Sequence, residues 1–322
     1  MILKHFESYE TTLGLRALKK RLPEHHEKYM MISEELSKNE AGEKGEELVM
    51  STLESFELPK NTYVLHNVSF KAKVEVQIDI LIVSPSWCLA MEVKNWTGVI
   101  YFNDNPSQAI CEKDEKVKIY TNPESQLEQY CYGLNVLLTK HQIRIPIYGL
   151  IVFPFNNAII KRPPKKFALK MGRDYLRYIL SIQNDKHIAD LKLIAELLLR
   201  NSEQLSSFPL CERYEINPEH ILTGVECPNC GTLPMMKTLR TWYCPNCKST
   251  QMRAHVKALN DYYMLIRNSI SSQEALKFLK LRNRYEAKRI VKANSIKKPD
   301  KRKNGRYLLK FDRSVVINFE KI

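Results

Sequence analysis

Two carboxylates and one lysine stand on neighbouring segments whose composition predicts β-strands. Asp79 lies within the β-branched run 76–83, and Glu92 and Lys94 lie within the run 88–94 with one residue between them. Side chains alternate along a strand, so Glu92 and Lys94 should point to the same face. The short turn between the two strands should bring Asp79 alongside Glu92. The pattern therefore predicts two carboxylates and an ammonium group together on a mostly apolar sheet.

This combination is suited to metal-assisted hydrolysis of a phosphodiester. Mg²⁺ or Mn²⁺ takes carboxylate oxygens and keeps several waters. Such a cation acidifies an attacking water and neutralises charge that builds on the phosphate. A nearby lysine can orient the nucleophile or stabilise the transition state. A salt-bridged group at a sheet edge fits the same spacing, so these three residues alone leave both interpretations open.

Four of the eight cysteines form two Cys-x2-Cys pairs separated by thirteen residues: Cys227, Cys230, Cys244 and Cys247. Each pair supplies two thiolates on a tight turn, and two such turns complete a tetrahedral Zn²⁺ site. The start of the chain lacks the pattern of a secretion signal, which favours metal ligands over disulfides. Four protein ligands leave no open position, so we expect one structural zinc in a zinc ribbon. Trp242, between the pairs, should pack over the zinc or stack on bases.

The basic charge is concentrated near the C-terminus. The chain has 50 Lys and Arg against 36 Asp and Glu, a net charge of +14. Residues 251–322 contain 19 basic and 6 acidic side chains, so they account for +13 of that excess. A basic segment of this density is typical of a protein that binds a polyanion, most often nucleic acid. A solvated, solubilising tail is the alternative.

The apolar periodicity predicts an α/β core followed by smaller modules. A helix at 41–56 precedes three strands, and a second helix at 124–140 precedes a strand at 147–153. We expect five segments: a helical N-terminal extension (1–40), the α/β domain (41–155), a helical linker region (156–222), the zinc ribbon (223–250) and a basic domain (251–322).

These motifs together resemble the PD-(D/E)xK nuclease superfamily and, within it, the nuclease-related domain family called NERD. The matching residues are Gly42-x-x-Gly45-Glu46, Gln77-Ile78-Asp79, Glu92-Val93-Lys94-Asn95 with Gly98, and Asn122-Pro123-x-x-Gln126. The resemblance covers roughly residues 41–155. It implies a restriction-endonuclease-like core, in which a helix, three strands, a helix and a strand (αβββαβ) form a mixed sheet.

The resemblance also assigns roles to individual residues. It makes Asp79 and Glu92 the ligands of Mg²⁺ or Mn²⁺, Lys94 the catalytic lysine and Glu46 an additional acidic residue. A Gln-x-x-x-Tyr element of exonuclease-like members is matched by Gln126 and Tyr130, whose spacing puts them on one helical face near the DNA.

Two positions depart from the family pattern. Ile78 replaces the leading proline of the superfamily motif, and Ile80 stands where a histidine is expected.

A lone histidine on an apolar strand, His66, is interpreted as a packed, satisfied side chain. For Trp96, which follows the strand that carries Lys94, packing in the core or at its rim is favoured over stacking on a base. The basic segment 161–166 either contacts phosphate or forms an exposed linker.

The basic C-terminal segment resembles a winged helix-turn-helix. We expect three helices, the third at 284–293, then a basic loop at 297–306 and a hairpin made by 307–311 and 314–319. By that likeness the third helix enters the major groove. The candidate nucleic-acid-binding residues are Arg282, Arg284, Lys288, Arg289, Lys292 and Arg306. A basic helical bundle that packs against the rest of the chain is the alternative.

The sequence thus predicts a metal-dependent DNA nuclease in which a zinc ribbon and a basic domain direct the catalytic domain to DNA. The alternative is a non-catalytic DNA-binding regulator with an inert nuclease fold, and RNA is a weaker alternative target. DNA repair and defence are both compatible with these parts. We expect a cytoplasmic protein that does not interact with membranes, and the sequence favours no particular oligomeric state.

Overall fold

The structure is a computed structural model that describes residues 1–183, 189–201, 208–297 and 305–320. Most of the basic loop expected at 297–306 lies outside these residues. The chain forms two compact units. Unit 1 consists of Met1–Ser8 and Asn39–Leu205, and unit 2 consists of Tyr9–Lys38 and Ser206–Ile322. Within the described residues, no helix is both long enough and apolar enough to cross a bilayer.

The secondary structure alternates between helices and short strands. Up to residue 201 the elements are β1 (Ile2–Lys4), α1 (Glu10–Arg21), α2 (Tyr29–Ser55), β2 (Tyr63–Lys71), β3 (Glu75–Val83), β4 (Cys88–Val93), β5 (Gly98–Asp104), β6 (Ser107–Lys113), β7 (Lys116–Thr121), α3 (Pro123–Lys140), β8 (Ile147–Phe153), β9 (Ala158–Arg162), β10 (Ala168–Met171), α4 (Asp174–Ser181) and α5 (Leu191–Arg200). From residue 208 they are α6 (Leu210–Arg213), a 3₁₀ turn (Pro218–His220), β11 (Met236–Lys237), β12 (Trp242–Tyr243), β13 (Thr250–Gln251), α7 (Ala254–Leu265), β14 (Ser269–Ile270), α8 (Ser272–Phe278), α9 (Arg284–Ala293), β15 (Ser295–Lys297), β16 (Tyr307–Leu309) and α10 (Arg313–Glu320).

Unit 1 is built on a six-stranded mixed sheet with the strand order β1-β2-β3-β4-β8-β10. The strands β2, β3 and β4 pair antiparallel, whereas β4 pairs with β8 in parallel. The helix α2 precedes the three antiparallel strands, and α3 precedes β8. The expected restriction-endonuclease-like core, a mixed α/β sheet, is therefore confirmed.

Helices cover both faces of this sheet, which explains why its central strands are almost continuously apolar. All six residues of β4 are buried. On one face, α2 and α4 pack through residues such as Met50 and Ile179. On the other face, α3 and α5 pack through residues such as Leu134 and Leu198. The burial on both faces fixes the register of β4 and hence the position of the residues at its end.

A second sheet of unit 1 has the strand order β7-β6-β5-β9 and arises largely from the segment between β4 and α3. Gly98 starts β5 with φ of +102°, and a Cβ there would lie 2.3 Å from the carbonyl oxygen of Glu112. Only glycine fits this close approach of two backbones.

The expectation of a helical linker at 156–222 is wrong in its first part, because β9 and β10 complete the two sheets.

The N-terminal segment is not a separate helical extension. The first strand, β1, pairs in parallel with β2 in unit 1. Residues 9–38 belong to unit 2, where the apolar side of α1 joins a core that also contains residues of α7. At the end of α1, Arg21 is only 1% exposed and its Nε lies 2.8 Å from Oδ2 of the buried Asp261. Helical periodicity indicates α1 correctly but does not reveal the partner of its apolar face.

The C-terminal part of unit 2 has the element order α7, β14, α8, α9, β15, β16. Its strands form a small sheet with the order β14-β16-β15. The start of α8 has a capping box, in which Ser271 and Glu274 satisfy each other's backbone N–H groups. The hairpin is made by β15 and β16. The expected second strand at 314–319 is wrong, because Arg313–Glu320 forms α10.

Candidate active site

The two carboxylates of the predicted site lie side by side where the pairing of β3 with β4 ends. In the antiparallel pair of β3 and β4, Ile80 is opposite Met91, so Asp79 and Glu92 occupy the next positions. The backbone N–H of Val93 donates a hydrogen bond of 2.8 Å to Oδ2 of Asp79. The short turn and the strand register thus bring together two acidic residues that are thirteen positions apart.

Lys94, the residue directly after β4, completes the group formed with Asp79 and Glu92. Its backbone N–H donates to the carbonyl of Val152 at 2.8 Å, which extends the pairing with β8. Its Nζ lies 2.5 Å from Oε1 of Glu92, and the two side chains are 18% and 3% exposed. The other carboxylate oxygen of Glu92, Oε2, is buried and has no hydrogen-bond partner among the described residues.

The electrostatics of this group favour an added positive charge. Burial raises the pKa of Asp79 well above its usual range, and the negative charges of Glu92 and Glu46 raise it further. Burial also raises the pKa of Glu92, although Lys94 opposes this. Burial lowers the pKa of Lys94, but the neighbouring carboxylates more than offset this effect, so it is raised overall. One lysine therefore does not compensate the clustered carboxylates.

The acidic residue of α2, Glu46, reaches the site because the preceding residue is glycine. A Cβ at position 45 would meet Asn95 Cβ at 3.3 Å and Pro154 Cγ at 3.4 Å, at the ends of β4 and β8. Glycine here lets α2 pass close to these strand ends. Glu46 is 6% exposed. It adds to the negative potential at Asp79, Glu92 and Lys94.

His66 on β2 contacts this site, which the sequence alone did not indicate. Its Nε2 lies 2.9 Å from Oε2 of Glu46, and its side chain is 1% exposed. It is the cross-strand neighbour of Ile80, where the family pattern has a histidine. The available signal was the pairing of β2 with β3, which places position 66 opposite position 80.

The helix α3 brings the remaining two predicted residues to the same region. Asn122 caps α3 by accepting a hydrogen bond of 3.0 Å from the backbone N–H of Glu124. Gln126 and Tyr130 share a side-chain hydrogen bond. Burial and the negative charges of Glu92 and Asp79 raise the pKa of Tyr130. The six residues assigned by resemblance therefore lie in one region of unit 1.

The donor set fits a hard divalent cation held by few protein ligands. Asp79 and Glu92 offer carboxylate oxygens, and Oε2 of Glu92 is the buried atom without a partner in the described part of the chain. Across that same part, only the four cysteines of the predicted ribbon bring three or more ligand atoms within 4.8 Å of one another. Magnesium commonly uses one or two carboxylates and keeps waters in its other positions, which matches this more open arrangement.

The four predicted zinc ligands converge in unit 2, where they could hold a structural zinc ion. The Sγ atoms of Cys227 and Cys247 are 3.6 Å apart, and those of Cys230 and Cys244 are 3.5 Å apart. A tetrahedral site with Zn–S bonds of 2.3 Å has S···S edges of ~3.8 Å. Hydrogen bonds with Ser249 and Asn229 lower the pKa of Cys247 to about 5, which favours the thiolate that binds metal.

The two cysteine turns have matching backbone geometry. The N–H of Gly231 bonds to the carbonyl of Cys227 at 2.9 Å, and the N–H of Lys248 bonds to the carbonyl of Cys244 at 3.1 Å. The strands β11, β12 and β13 form a small antiparallel sheet around these turns. Trp242 is fully buried in the core of unit 2, so it packs there and its ring is not open to bases.

Five of the six candidate nucleic-acid contacts are exposed on or next to α9. These are Arg282, Arg284, Lys288, Arg289 and Lys292. Arg306 differs, since its guanidinium pairs with Glu274 at 2.8 Å and also donates to the carbonyl of Ser269 at 2.9 Å. It ties β16 to α8 and β14 within unit 2.

A mixed sheet with two carboxylates on the adjacent strands β3 and β4, and a lysine directly after β4, places unit 1 in the class of PD-(D/E)xK nuclease folds. Residues 41–154 match the family model described as nuclease-related domain, NERD. The chain therefore contains a nuclease-related domain within unit 1. No match was found among curated proteins or among solved structures.

Proposed function

We propose that this protein is a metal-dependent nuclease that hydrolyses phosphodiester bonds in DNA. The observation that carries the proposal is the arrangement of Asp79, Glu92 and Lys94, together with the buried Oε2 of Glu92 that lacks a partner in the described residues. A buried carboxylate oxygen without a partner is costly unless a ligand satisfies it. The match of residues 41–154 to a nuclease-related domain supports the same conclusion.

The chain's own residues have distinct roles in this proposal. Asp79 and Glu92 would hold Mg²⁺ or Mn²⁺, which when bound supplies an acidified water and neutralises charge on the phosphate. Lys94, anchored on Glu92, would orient the nucleophile or stabilise the charged transition state. Glu46 would add negative potential that favours the cation. Gln126 and Tyr130, on α3, would border the DNA.

Unit 2 would bind the DNA. The order α7, β14, α8, α9, β15, β16 supports a winged-helix interpretation, in which α9 enters the major groove and the hairpin contacts the backbone. The exposed cations at 282, 284, 288, 289 and 292 would neutralise phosphates. The cysteine cluster would hold one structural zinc, whose binding contributes folding energy to a segment with little secondary structure of its own.

Cleavage assays on purified protein test the catalytic proposal. Labelled linear, nicked, single-stranded and branched DNA, with RNA in parallel, would be incubated with Mg²⁺ or Mn²⁺ and with a chelator. We expect metal-dependent cutting of DNA, and a loss of about 10²-fold or more in Lys94→Ala. The matched control is Lys71→Ala, which removes a lysine of unit 1 whose side chain is 66% exposed. Absence of cutting on every substrate would refute the proposal.

A non-catalytic DNA-binding protein is the second candidate, and the exposed basic side of α9 favours it independently of unit 1. Its signature is salt-dependent DNA binding that survives Lys94→Ala without cleavage by the wild type. Replacing Arg284 and Lys288 by glutamine should weaken binding. It should also lower the salt slope, the steepness with which log K falls with log salt concentration, by about 2, one per lost phosphate contact. Lys277→Gln, an exposed change on α8, is the control.

A further inference from the structure

The two-stranded β6–β7 hairpin of unit 1 carries a row of cations on one face. We call the side of the hairpin that carries Lys113, Lys116, Lys118 and Tyr120 the β6–β7 face. In the hairpin, Lys113 is paired with Lys116, Cys111 with Lys118 and Ala109 with Tyr120. Paired residues and residues two apart share a face. All three lysines are exposed, and β7 is the edge strand of its sheet.

The three acidic residues of the hairpin lie at its turn or on the opposite face. Asp114 and Glu115 form the turn that joins β6 to β7. Glu112 is paired with Val117, so it lies on the other face of the hairpin. Burial raises the pKa of Cys111, the charges of Lys118 and Lys113 lower it, and the charge of Glu112 raises it.

The row ends at the candidate active site. Tyr120 stacks on Trp96 with ring centroids 4.5 Å apart and planes 17° apart. Trp96 follows the catalytic lysine by two residues, and Nζ of Lys94 lies 5.6 Å from the centre of its ring. Both rings are half-buried, so part of each is open to solvent. A line of positive charge therefore leads to an aromatic pair beside Lys94.

This combination has the chemistry of a site for an unpaired nucleic-acid strand. Successive residues on one face of a strand are ~6.8 Å apart, so Lys116 and Lys118 can contact successive phosphates of an extended strand. Aromatic rings bind unpaired bases by stacking, and every base offers such a face. A base in a duplex is already stacked on its neighbours, so it gains little from the aromatic pair.

We propose that the β6–β7 face binds single-stranded DNA and guides it to the catalytic group, with a base stacked on the Tyr120–Trp96 pair. The inference rests on the proposed nuclease function and narrows its substrate to DNA with an unpaired end or region. Unit 2, with its basic helix, supplies affinity that does not depend on this face.

Kinetics of the full-length protein test the proposal. Tyr120→Leu should lower kcat/KM on a single-stranded oligonucleotide by about 5- to 150-fold, the range expected for loss of one stacked base, and change duplex cleavage less than about 2-fold. Lys116→Gln with Lys118→Gln should reduce the salt slope of single-strand cleavage by about 1.4, since each phosphate contact contributes about 0.7. Equal losses on both substrates, or none, would overturn the proposal.

Two control variants exclude general effects of the substitutions. Tyr132→Leu removes a tyrosine of α3 that is 47% exposed. Lys71→Gln removes an exposed lysine at the end of β2. Both should cleave single-stranded DNA like the wild type, and circular dichroism should show the same fold for all variants. A loss in the controls as large as in the test variants would count against a specific site.

Photo-crosslinking separates a failure of this inference from a failure of the nuclease proposal. An oligothymidylate that carries 4-thiothymine is irradiated with the full-length protein and the adduct is mapped by mass spectrometry. We expect adducts at Tyr120 or Trp96 with the single strand, and none with a duplex. If the wild type cleaves nothing but forms these adducts, only the catalytic proposal fails. Adducts confined to unit 2, or stronger adducts with the matching RNA, would overturn the inference.

Discussion

The ion pair between Arg21 and Asp261 predicts that α1 is essential to unit 2. Arg21→Met removes a guanidinium whose Nε is 2.8 Å from Asp261 Oδ2, in side chains that are 1% and 0% exposed. It also removes Nη1 donors to the carbonyls of Leu222 at 2.9 Å and Gly224 at 3.2 Å. The substitution leaves a buried carboxylate with one remaining cation, Lys257, at 3.2 Å.

The expected loss follows from that remaining cation. Removing one partner of a buried ion pair costs about 3–5 kcal/mol. Because Lys257 still compensates part of the Asp261 charge, we expect the lower end, about 3 kcal/mol. The native group is itself incompletely satisfied, since Nη2 of Arg21 and Oδ1 of Asp261 have no partner among the described residues. The double variant Arg21→Met with Asp261→Leu should therefore recover part of the loss, because the carbonyls of Leu222 and Gly224 still lack the Nη1 donor.

Hydrogen exchange followed by mass spectrometry measures each unit separately. In Arg21→Met, peptides of α7 should exchange about 100-fold faster, the equivalent of ~3 kcal/mol, and peptides of β4 in unit 1 should not change. Lys20→Met is the matched control on the same helix, because its side chain is 44% exposed and lies 3.6 Å from Glu226. Glu226 keeps a closer cation, Lys257, at 2.6 Å, so loss of the half-exposed Lys20 should cost about 1 kcal/mol at most. Equal exchange of α7 in both variants would refute the reasoning.

Three further predictions concern the two sites. Asp79→Asn should raise the melting temperature of the metal-free protein near pH 7 and remove the rise caused by Mn²⁺ in thermal scans. The pKa of Asp79 is raised by folding, so metal-free wild type should lose stability as pH rises above the ordinary value of 3.8, and the variant should lose less. His66→Leu should weaken the apparent Mn²⁺ affinity in cleavage assays by about 10- to 100-fold, with partial rescue in His66→Gln, which can still donate to Glu46. Removal of zinc by a chelator, or Cys247→Ser, should speed exchange in α7 but leave β4 protected.

The parts of the structure that sequence predicts are those specified by local composition. The buried strands of unit 1, the capped helix α3 and the cysteine turns each carry their own signal within a few residues. The strands β9 and β10 do not, because Ala158–Arg162 is basic and Ala168–Met171 is short. Their conformation depends on pairing: β9 pairs with β5, 60 positions earlier, and β10 pairs with β8, 18 positions earlier.

Two errors have the same physical origin. The apolar run at 314–319 fits a strand or a helix equally well, and only the tertiary context selects α10. The packing of α1 in unit 2 joins residues more than 200 positions apart, which periodicity does not encode. At the candidate site, strand alternation predicted the group of Asp79, Glu92 and Lys94, and the resemblance added the other three residues. His66 required the strand register.

The interleaving of the two units has a consequence for synthesis on the ribosome. Residues 9–38 emerge early, yet their partners in unit 2 lie after residue 206. Until then the apolar side of α1 and the charge of Arg21 have no native neighbours, while all of unit 1 can already be complete. The nascent chain should therefore acquire its nuclease-related domain first and close unit 2 last. A chain released early would carry a folded domain and an α1 whose apolar side is uncovered. Chaperones can bind such a segment and proteases can cut it.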